Sequence, residues 1–162
     1  MELETSKIRD RVLKYCDGKG IDIGCNQDKI KPDAIGIDDR AAQGDVNMNL
    51  DASKPLPFNT GEFDYVYSSH ALEDMLDTVG ILREWIRILK MDGRIILYVP
   101  HPDLYKGFNS RHKYPGFRPE ELTPILKNLG CSIVETFIDD RPGCYSTLVV
   151  AKKILVNNIE FN

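Results

Sequence analysis

The stretch that decides the fold is GKGIDIGCN at residues 18–26, where glycines bound a short apolar run. Such a run is typical of a buried strand, because a strand covered on both faces shows little polar alternation. Working outward from it, the same kind of signal recurs along the chain. Further strands are predicted at residues 34–38, 46–50, 62–69, 93–100, 131–139 and 145–153.

Three helices are predicted, over residues 5–16, 78–90 and 119–129. The middle one has the clearest pattern, because apolar residues recur every three or four positions while charged residues face away. Thr5 or Ser6 is expected to cap the first helix, since a hydroxyl before the first turn can accept a backbone N–H. The expected stop signals of the last two helices are Asp92–Gly93 and Gly130.

Strands that alternate with helices predict an α/β fold, here a Rossmann-like, doubly wound and mostly parallel sheet. The short DRPGC turn at residues 140–144 should make the last strand antiparallel. Connections 25–33 and 39–45 are too short for ordinary crossovers, which need about 10–12 residues. We therefore expect shortened or missing helices between the first three strands. That side of the sheet should be thinly covered, and a partner chain, as in a homodimer, could cover it.

Composition restricts the class of protein. With 162 residues, 42% hydrophobic and 28% charged, the chain is expected to form a single domain over residues 1–162. Residues 1–17 would carry the first helix, about 18–153 the core, and 154–162 a tail that is either an edge strand or a frayed end. No apolar run approaches the ~18–20 residues of a membrane span, and no secretion signal is recognised. A cytoplasmic protein is therefore expected.

Charge and cysteine usage narrow the choice of ligands. The formal charge of −4 at pH 7 argues against a general nucleic-acid binder, which usually needs a basic face. The four cysteines are far apart and form no C-x-x-C pair, so neither a metal ion nor a redox pair is expected.

Polar residues follow the predicted strands at their carboxyl ends, where parallel sheets bind ligands. After the second strand, a carboxylate such as Asp38 can accept hydrogen bonds from both hydroxyls of a ribose. After the third, Asp51 beside the small Ala52 can receive an adenine amine. Each feature alone also fits a plain turn or a cap. Consecutive strand ends carry Asp22, Gly24, Cys25 and Asn26, then Asp38 and Asp39, then Asp51 and Ala52, then Ser68, Ser69 and His70.

In this order, residues 18–153 resemble the class I S-adenosylmethionine-dependent methyltransferases, in a compact form similar to type 11. The resembling segments are GKGIDIGCN, GID ending at Asp38, Asp51–Ala52 with LPF at 56–58, FDYVYSSHALED at 63–74, EWIRILKMDGRIILYVP at 84–100 and PEELTPILKNLGCSIVE at 119–135. The resemblance implies S-adenosylmethionine as cofactor and S-adenosyl-L-homocysteine as product. The cofactor-binding residues that it implies are Asp22, Gly24, Cys25, Asn26, Asp38, Asp39, Asp51, Ala52, Ser68 and Ser69.

The first loop departs from the family pattern, which carries two or three glycines after the first strand. Here Gly24 is followed by Asn26 and Asp28 where further glycines are expected. Asparagine tolerates left-handed backbone angles better than most residues, so the turn can form. The departure leaves a second hypothesis open: a catalytically weak or inactive module of the same fold that binds S-adenosylmethionine or a nucleoside.

The chemistry implied is methyl transfer to a small-molecule acceptor. A sulfonium methyl is already reactive, so the protein mainly aligns the nucleophile and excludes water. A general base helps only when the nucleophile arrives protonated. His70 and His101 are the candidates for that role and for substrate contacts, because imidazole titrates near neutral pH. Tyr105 is a weaker substrate candidate, and the Pro-His-Pro turn around His101 also favours a structural role.

The loop at 101–117 mixes basic and aromatic residues where this fold builds its substrate lid. It could admit an anionic substrate, although a solvated loop held by its aromatic residues fits the pattern equally well. Two other functions are disfavoured. A nicotinamide-dependent oxidoreductase would carry G-x-G-x-x-G after the first strand, and an RNA or protein methyltransferase would suit a less acidic chain or an added binding domain.

Overall fold

The computed structural model describes residues 2–40 and 46–154. In these ranges one sheet contains β1 Gly20–Ile23, β2 Ile35–Asp38, β3 Met48–Asn49, β4 Phe63–Ser69, β5 Leu89–Pro100, β6 Cys131–Asp139 and β7 Ser146–Lys153. Their order is β3-β2-β1-β4-β5-β7-β6. The first five strands are parallel, whereas β7 runs antiparallel to both β5 and β6. The predicted Rossmann-like, mostly parallel sheet with an antiparallel last strand is confirmed.

The helices of the described ranges are α1 Glu4–Val12, α2 Thr78–Arg87 and α3 Pro119–Asn128. Short 3-10 turns follow α1 at Leu13–Tyr15 and β4 at Leu72–Asp74. None of these helices has the length and apolar character needed to cross a bilayer.

The predicted end of α2 at Asp92–Gly93 is wrong. The helix ends at Arg87, and β5 starts at Leu89, which pairs with Phe63 of β4. Asp92 and Gly93 lie inside β5, where Asp92 adopts a φ of 64° beside a register shift in the β4–β5 pairing. Leu89 is apolar and buried because it starts the strand β5. It also fits the helical spacing of the apolar residues before it, so the pattern extended the predicted helix past its true end.

The predicted cap of α1 is also wrong, because the helix starts earlier, with Leu3 in the cap position. The two hydroxyls lie inside the helix and contact other parts of the chain. Thr5 accepts a hydrogen bond from the Tyr67 hydroxyl at 3.2 Å, and Ser6 donates to Asp28 at 2.7 Å. They attach α1 to the sheet and to the loop after β1.

The connection from β1 to β2 contains no helix over residues 24–34, as the short spacing predicted. Ile30 and Ala34 of this connection pack into the apolar cluster under α1 and supply the cover that a crossover helix would give. The predicted absence of a helix between β2 and β3 falls largely on residues 41–45, and the predicted tail on 155–162. Both segments lie outside the described residues.

Two apolar clusters cover the two faces of the sheet. The larger joins Trp85 of α2 and Leu126 of α3 to alternate residues of the central strands. The smaller joins Ile8 of α1 to the other alternate set, which includes Tyr65 and Tyr67. Full burial of one large apolar side chain stabilises the fold by roughly 1.5–3 kcal/mol. The packed sheet therefore holds its carboxyl edge as a rigid platform for the loops that follow the strands.

Candidate active site

A cavity of about 600 Å³ opens at the carboxyl ends of β1, β2, β3 and β4. Its volume lies within the ~300–1,000 Å³ typical of small-molecule sites. Parallel strands end at the same edge of a sheet, so the loops that follow them converge here. The cavity is lined mainly by residues 3–5, 24–28, 38–40, 50–54, 69–71 and 74–77, with Arg111 and Lys113.

The loop after β1 passes close to the start of the segment after β4. Gly24 adopts a φ of 75°, and a Cβ placed there would lie 2.7 Å from the Cβ of Ala71. The N–H groups of Gly24 and Cys25 both donate to the Ile37 carbonyl, at 2.8 and 3.3 Å. Asn26 adopts a φ of 48°, so the turn forms with asparagine where the family pattern has glycine.

Asp38 connects the ends of β1 and β2. Its carboxylate accepts hydrogen bonds from the backbone N–H of Asn26 and of Arg40, each at 3.0 Å. A carboxylate oxygen can accept more than one hydrogen bond, so both retain capacity for a further donor. Asp39 is exposed, and its Oδ2 lies 3.5 Å from the Arg111 guanidinium. Asp38 is therefore a preorganised acceptor at the cavity wall.

Asp51 and Ala52 line the cavity after β3. Asp51 accepts hydrogen bonds from the backbone and the hydroxyl of Ser53, at 2.9 and 2.6 Å. The Ser53 hydroxyl and N–H hold the pKa of Asp51 below its usual value, so the carboxylate is charged at neutral pH. The Ala52 carbonyl accepts the indole N–H of Trp85 at 3.1 Å, which attaches this loop to the core.

His70 lies at the end of β4 with a φ of 49°. Its Nε2 is 2.8 Å from the Ser146 hydroxyl and 3.4 Å from a carboxylate oxygen of Glu4. Burial, together with the positive charge of Lys7, lowers the pKa of His70 to about 3. The ring is therefore neutral at physiological pH. Ser69 beside it is buried and also lines the cavity.

Four of the predicted residues are not among those that line the cavity: Asp22, Ser68, His101 and Tyr105. Asp22 and Ser68 lie within buried strands, where Asp22 accepts the Ile30 N–H at 2.6 Å and Ser68 donates to the Ile23 carbonyl at 3.0 Å.

His101 and Tyr105 make contacts that stabilise the loop at 101–117, called the lid loop below. The Nδ1 of His101 accepts the Asp103 N–H at 3.2 Å, which closes a local turn. The Tyr105 ring packs against Tyr145 and His112, with ring centroids 5.1 and 5.3 Å apart. Both residues therefore take part in the packing of the loop, and His101 directly follows the last residue of β5.

Sequence reasoning missed a group of polar residues around the 3-10 turn after β4. Glu73 is completely buried, and neither of its carboxylate oxygens receives a hydrogen bond from another residue of the described ranges. Burial raises the pKa of Glu73 to about 8. Its Oε1 lies 3.9 Å from Nδ1 of His70 and 3.8 Å from Nε2 of His112. The only sequence signal was the acidic pair Glu73–Asp74, which gives no hint of a partner 39 positions along the chain.

The lid loop also brings positive charge to the cavity. Arg111 lies 3.7 Å from Asp74 and 3.5 Å from Asp39, and all three residues line the cavity. Lys113 lines the same wall, while its backbone N–H donates to the Glu73 carbonyl at 2.8 Å. The cavity therefore carries acidic groups at the strand ends and basic groups at the lid.

Comparison with known proteins identifies related sequences and structures. Residues 15–97, about half of the chain, match the family described as "Methyltransferase domain", type 11. Ajmaline N-methyltransferase from Rauvolfia serpentina is 29% identical over 125 residues, which cover 74% of this chain and 40% of that protein. The chain therefore spans less than half the length of this curated relative.

Two solved structures show the same fold. The 1,6-didemethyltoxoflavin-N1-methyltransferase of Burkholderia thailandensis, crystallised with its substrate and S-adenosylhomocysteine, matches with a TM-score of 0.76, 15% identity, and coverage of 95% of this chain and 80% of its own. A chain from the Haloferax volcanii complex of the Trm112 methyltransferase activator with a methyltransferase matches with a TM-score of 0.73, 14% identity, and coverage of 94% and 91%.

Proposed function

Since this chain belongs to the type 11 family of class I S-adenosylmethionine-dependent methyltransferases, we propose that it transfers a methyl group from S-adenosylmethionine to a small-molecule acceptor. The observation that carries the proposal is the single 600 Å³ cavity that gathers the loop after β1 with Asp38, Asp51 and Ser69. These groups come from four successive strand ends, which a shared nucleoside ligand would explain.

The residues of the cavity fit the parts of this cofactor. Asp38, with two oxygens held by backbone N–H groups, suits the ribose hydroxyls. Asp51 and Ala52 suit the adenine, because a charged carboxylate accepts from its amine beside a small apolar side chain. Gly24 lines the cavity without a side chain, which gives room for the amino-acid part. When bound, the cofactor supplies an electrophilic methyl on sulfur.

The contribution of the protein is to align the acceptor and to exclude water. We assign His70 a positioning role, because its Nε2 already contacts Ser146 and Glu4. His101 supports the lid through its turn with Asp103. Tyr105 belongs to the same loop and packs against Tyr145, a contact that attaches the loop to the β6–β7 turn.

The acceptor best suited to the cavity is small and anionic. Arg40, Arg111 and Lys113 are among the residues that line it, and a volume of about 600 Å³ leaves room for a compact molecule beside a nucleoside. Two of the related proteins carry the names of N-methyltransferases that act on small molecules. The chain's net charge of −4 disfavours RNA as the acceptor.

Calorimetric titration of the full chain with S-adenosylhomocysteine and with NAD tests the cofactor assignment. Asp38→Ala should weaken S-adenosylhomocysteine binding ~10-fold or more, because a hydrogen bond to a charged group contributes ~1.5–3 kcal/mol. Asp140→Ala, which removes an exposed carboxylate in the β6–β7 turn, is the matched control and should bind like the wild type. Binding of NAD without any response to the sulfur compounds would overturn the assignment.

A mass-spectrometric assay separates the enzyme from an inactive binding module. The protein is incubated with S-adenosylmethionine and a set of small anionic acceptors, and release of S-adenosylhomocysteine is measured with and without each acceptor. Acceptor-dependent release supports the enzyme. Tight cofactor binding with no turnover across the set would favour the binding module of the same fold.

A further inference from the structure

Three potential metal ligands converge where the lid loop meets the 3-10 turn after β4. Glu73, Asp74 and His112 each place one donor atom within 4.8 Å of the other two. The Nε2 of His112 lies 3.8 Å from Oε1 of Glu73 and 3.9 Å from Oδ1 of Asp74. These distances are too long for hydrogen bonds, so the three groups face one another without bonding directly.

The oxygens that face His112 are unsatisfied. Oε1 and Oε2 of Glu73 and Oδ1 of Asp74 are buried, and within the described part of the chain no residue donates a hydrogen bond to them. Glu73 is 0% exposed. A buried carboxylate without a donor is costly, and a bound cation is one of the few partners that removes the cost. Arg111 contacts only the other oxygen of Asp74, at 3.7 Å.

The chain holds the imidazole at this place through its backbone. The N–H groups of Lys113 and Tyr114 both donate to the Glu73 carbonyl, at 2.8 and 3.1 Å. The ring of His112 packs against Tyr105, with centroids 5.3 Å apart. His112 is therefore fixed on both sides and directed at the two carboxylates, as an imidazole ligand would be.

We propose that Glu73, Asp74 and His112 bind a divalent transition-metal ion such as Zn²⁺. Three atoms at most 4.8 Å apart have a common centre no more than about 2.8 Å from each, and shifts of at most about 0.8 Å reach the ~2.0–2.2 Å of zinc ligation. Two carboxylates with one imidazole suit zinc, manganese or cobalt better than magnesium. The three side chains leave further coordination positions to other ligands.

The place of the site gives it a role beyond holding the loop. Asp74 lines the cavity, so an ion bound to it lies in the wall between the strand ends and the lid. This ion would attach the lid loop to the segment after β4 and add positive charge on the side where an anionic acceptor is expected. The proposal itself does not depend on methyl transfer, because the ligands are separate from Asp38 and Asp51.

Calorimetry with Zn²⁺ alone on the full chain tests the site. We expect one equivalent to bind, and His112→Gln and Asp74→Asn each to weaken binding ~10-fold or more. Asp140→Asn removes an exposed carboxylate in the β6–β7 turn and should bind Zn²⁺ like the wild type. Circular dichroism verifies that each variant is folded, so that Asp74→Asn still decides the matter if His112→Gln does not fold.

The absorption spectrum with Co²⁺ separates this site from the cysteines. Nitrogen and oxygen ligation gives no thiolate-to-cobalt charge-transfer band. The proposal is overturned if Zn²⁺ does not bind up to ~1 mM or if a thiolate band appears. It is also overturned if Asp140→Asn weakens binding as much as the ligand variants do, or if both ligand variants keep the wild-type affinity. S-adenosylhomocysteine affinity is measured in parallel. Asp38→Ala should bind this ligand more weakly and still bind Zn²⁺. The two measurements therefore separate failure of the metal-site proposal from failure of the proposed function.

Discussion

The carboxyl group of Asp22 allows a quantitative test of how burial affects the stability of this fold. The side chain is buried within β1, and Oδ2 accepts the Ile30 N–H at 2.6 Å. Its Oδ1 receives no hydrogen bond from any described residue. Burial, with a smaller contribution from Asp28, raises the pKa of Asp22 from 3.8 to about 8. The Ile30 N–H, Lys29 and Arg9 act in the opposite direction. At neutral pH this carboxyl is therefore protonated in the folded protein and ionised in the unfolded chain.

Asp22→Asn removes this titration. Between about pH 4 and 8 the folded wild type binds one proton more than the unfolded chain, so its free energy of unfolding falls as the pH rises. The fall is about 1.4 kcal/mol per pH unit in the middle of the window and about 5 kcal/mol in total by pH 8. The amide keeps an acceptor for Ile30 and has no proton to lose. The variant should therefore gain stability over the wild type as pH rises, with the smallest difference at pH 4.

Urea unfolding measures this difference through the fluorescence of Trp85, the one tryptophan, which is buried in the core. Stability is determined for both proteins at several values across the window. Asp10→Asn removes an exposed carboxylate of α1 and should follow the wild type at every pH. Parallel pH profiles for the wild type and Asp22→Asn would refute the argument, because they would mean that folding does not change the proton affinity of Asp22.

Two further substitutions test the loop geometry and the β6–β7 turn. Gly24→Ala should lower the free energy of unfolding by about 2 kcal/mol or more, because it combines backbone strain with a 2.7 Å contact to Ala71. Gly143→Ala is the matched control, with a similar φ and no described atom within 4 Å, and should lower it by only about 1 kcal/mol. Equal losses of unfolding free energy in the two variants, measured with urea, would show that the contact with Ala71 does not destabilise the fold. Arg141→Met leaves the buried Asp139 without its two 2.7 Å hydrogen bonds and should cost about 1.5–3 kcal/mol. An unchanged unfolding midpoint would contradict that pairing.

The helix and strand boundaries show how far a local pattern specifies structure. The apolar spacing through residues 78–90 identified α2, but Leu89 satisfies burial equally well as the first residue of β5. Pairing of Leu89 with Phe63, distant in sequence, decides the boundary. Likewise a hydroxyl near a helix start predicts a cap, whereas the hydroxyls of Thr5 and Ser6 bond to Tyr67 and Asp28 across the fold.

The candidate cavity was predictable where it depends on strand ends. Asp38 and Ser69 end β2 and β4, and Asp51 comes shortly after β3. The sequence predicts all three strands, and parallel strands must end at the same edge. The sequence did not predict which side chains line the cavity, because this depends on the register of the strands and on the hydrogen-bond partners of each side chain. Asp22 bonds to Ile30 within the domain, and His101 closes its own turn, so neither lines the cavity.

The sequence by itself determined the family, the sheet and the row of polar groups at its edge, because these follow from short-range periodicity and from the order of strands along the chain. Only the tertiary structure decided that the lid loop returns to Glu73. Two backbone hydrogen bonds to that carbonyl bring His112 to the buried carboxylates. Contacts between residues so far apart arise from how the loop folds back over the sheet, and no local spacing of residue types encodes that path.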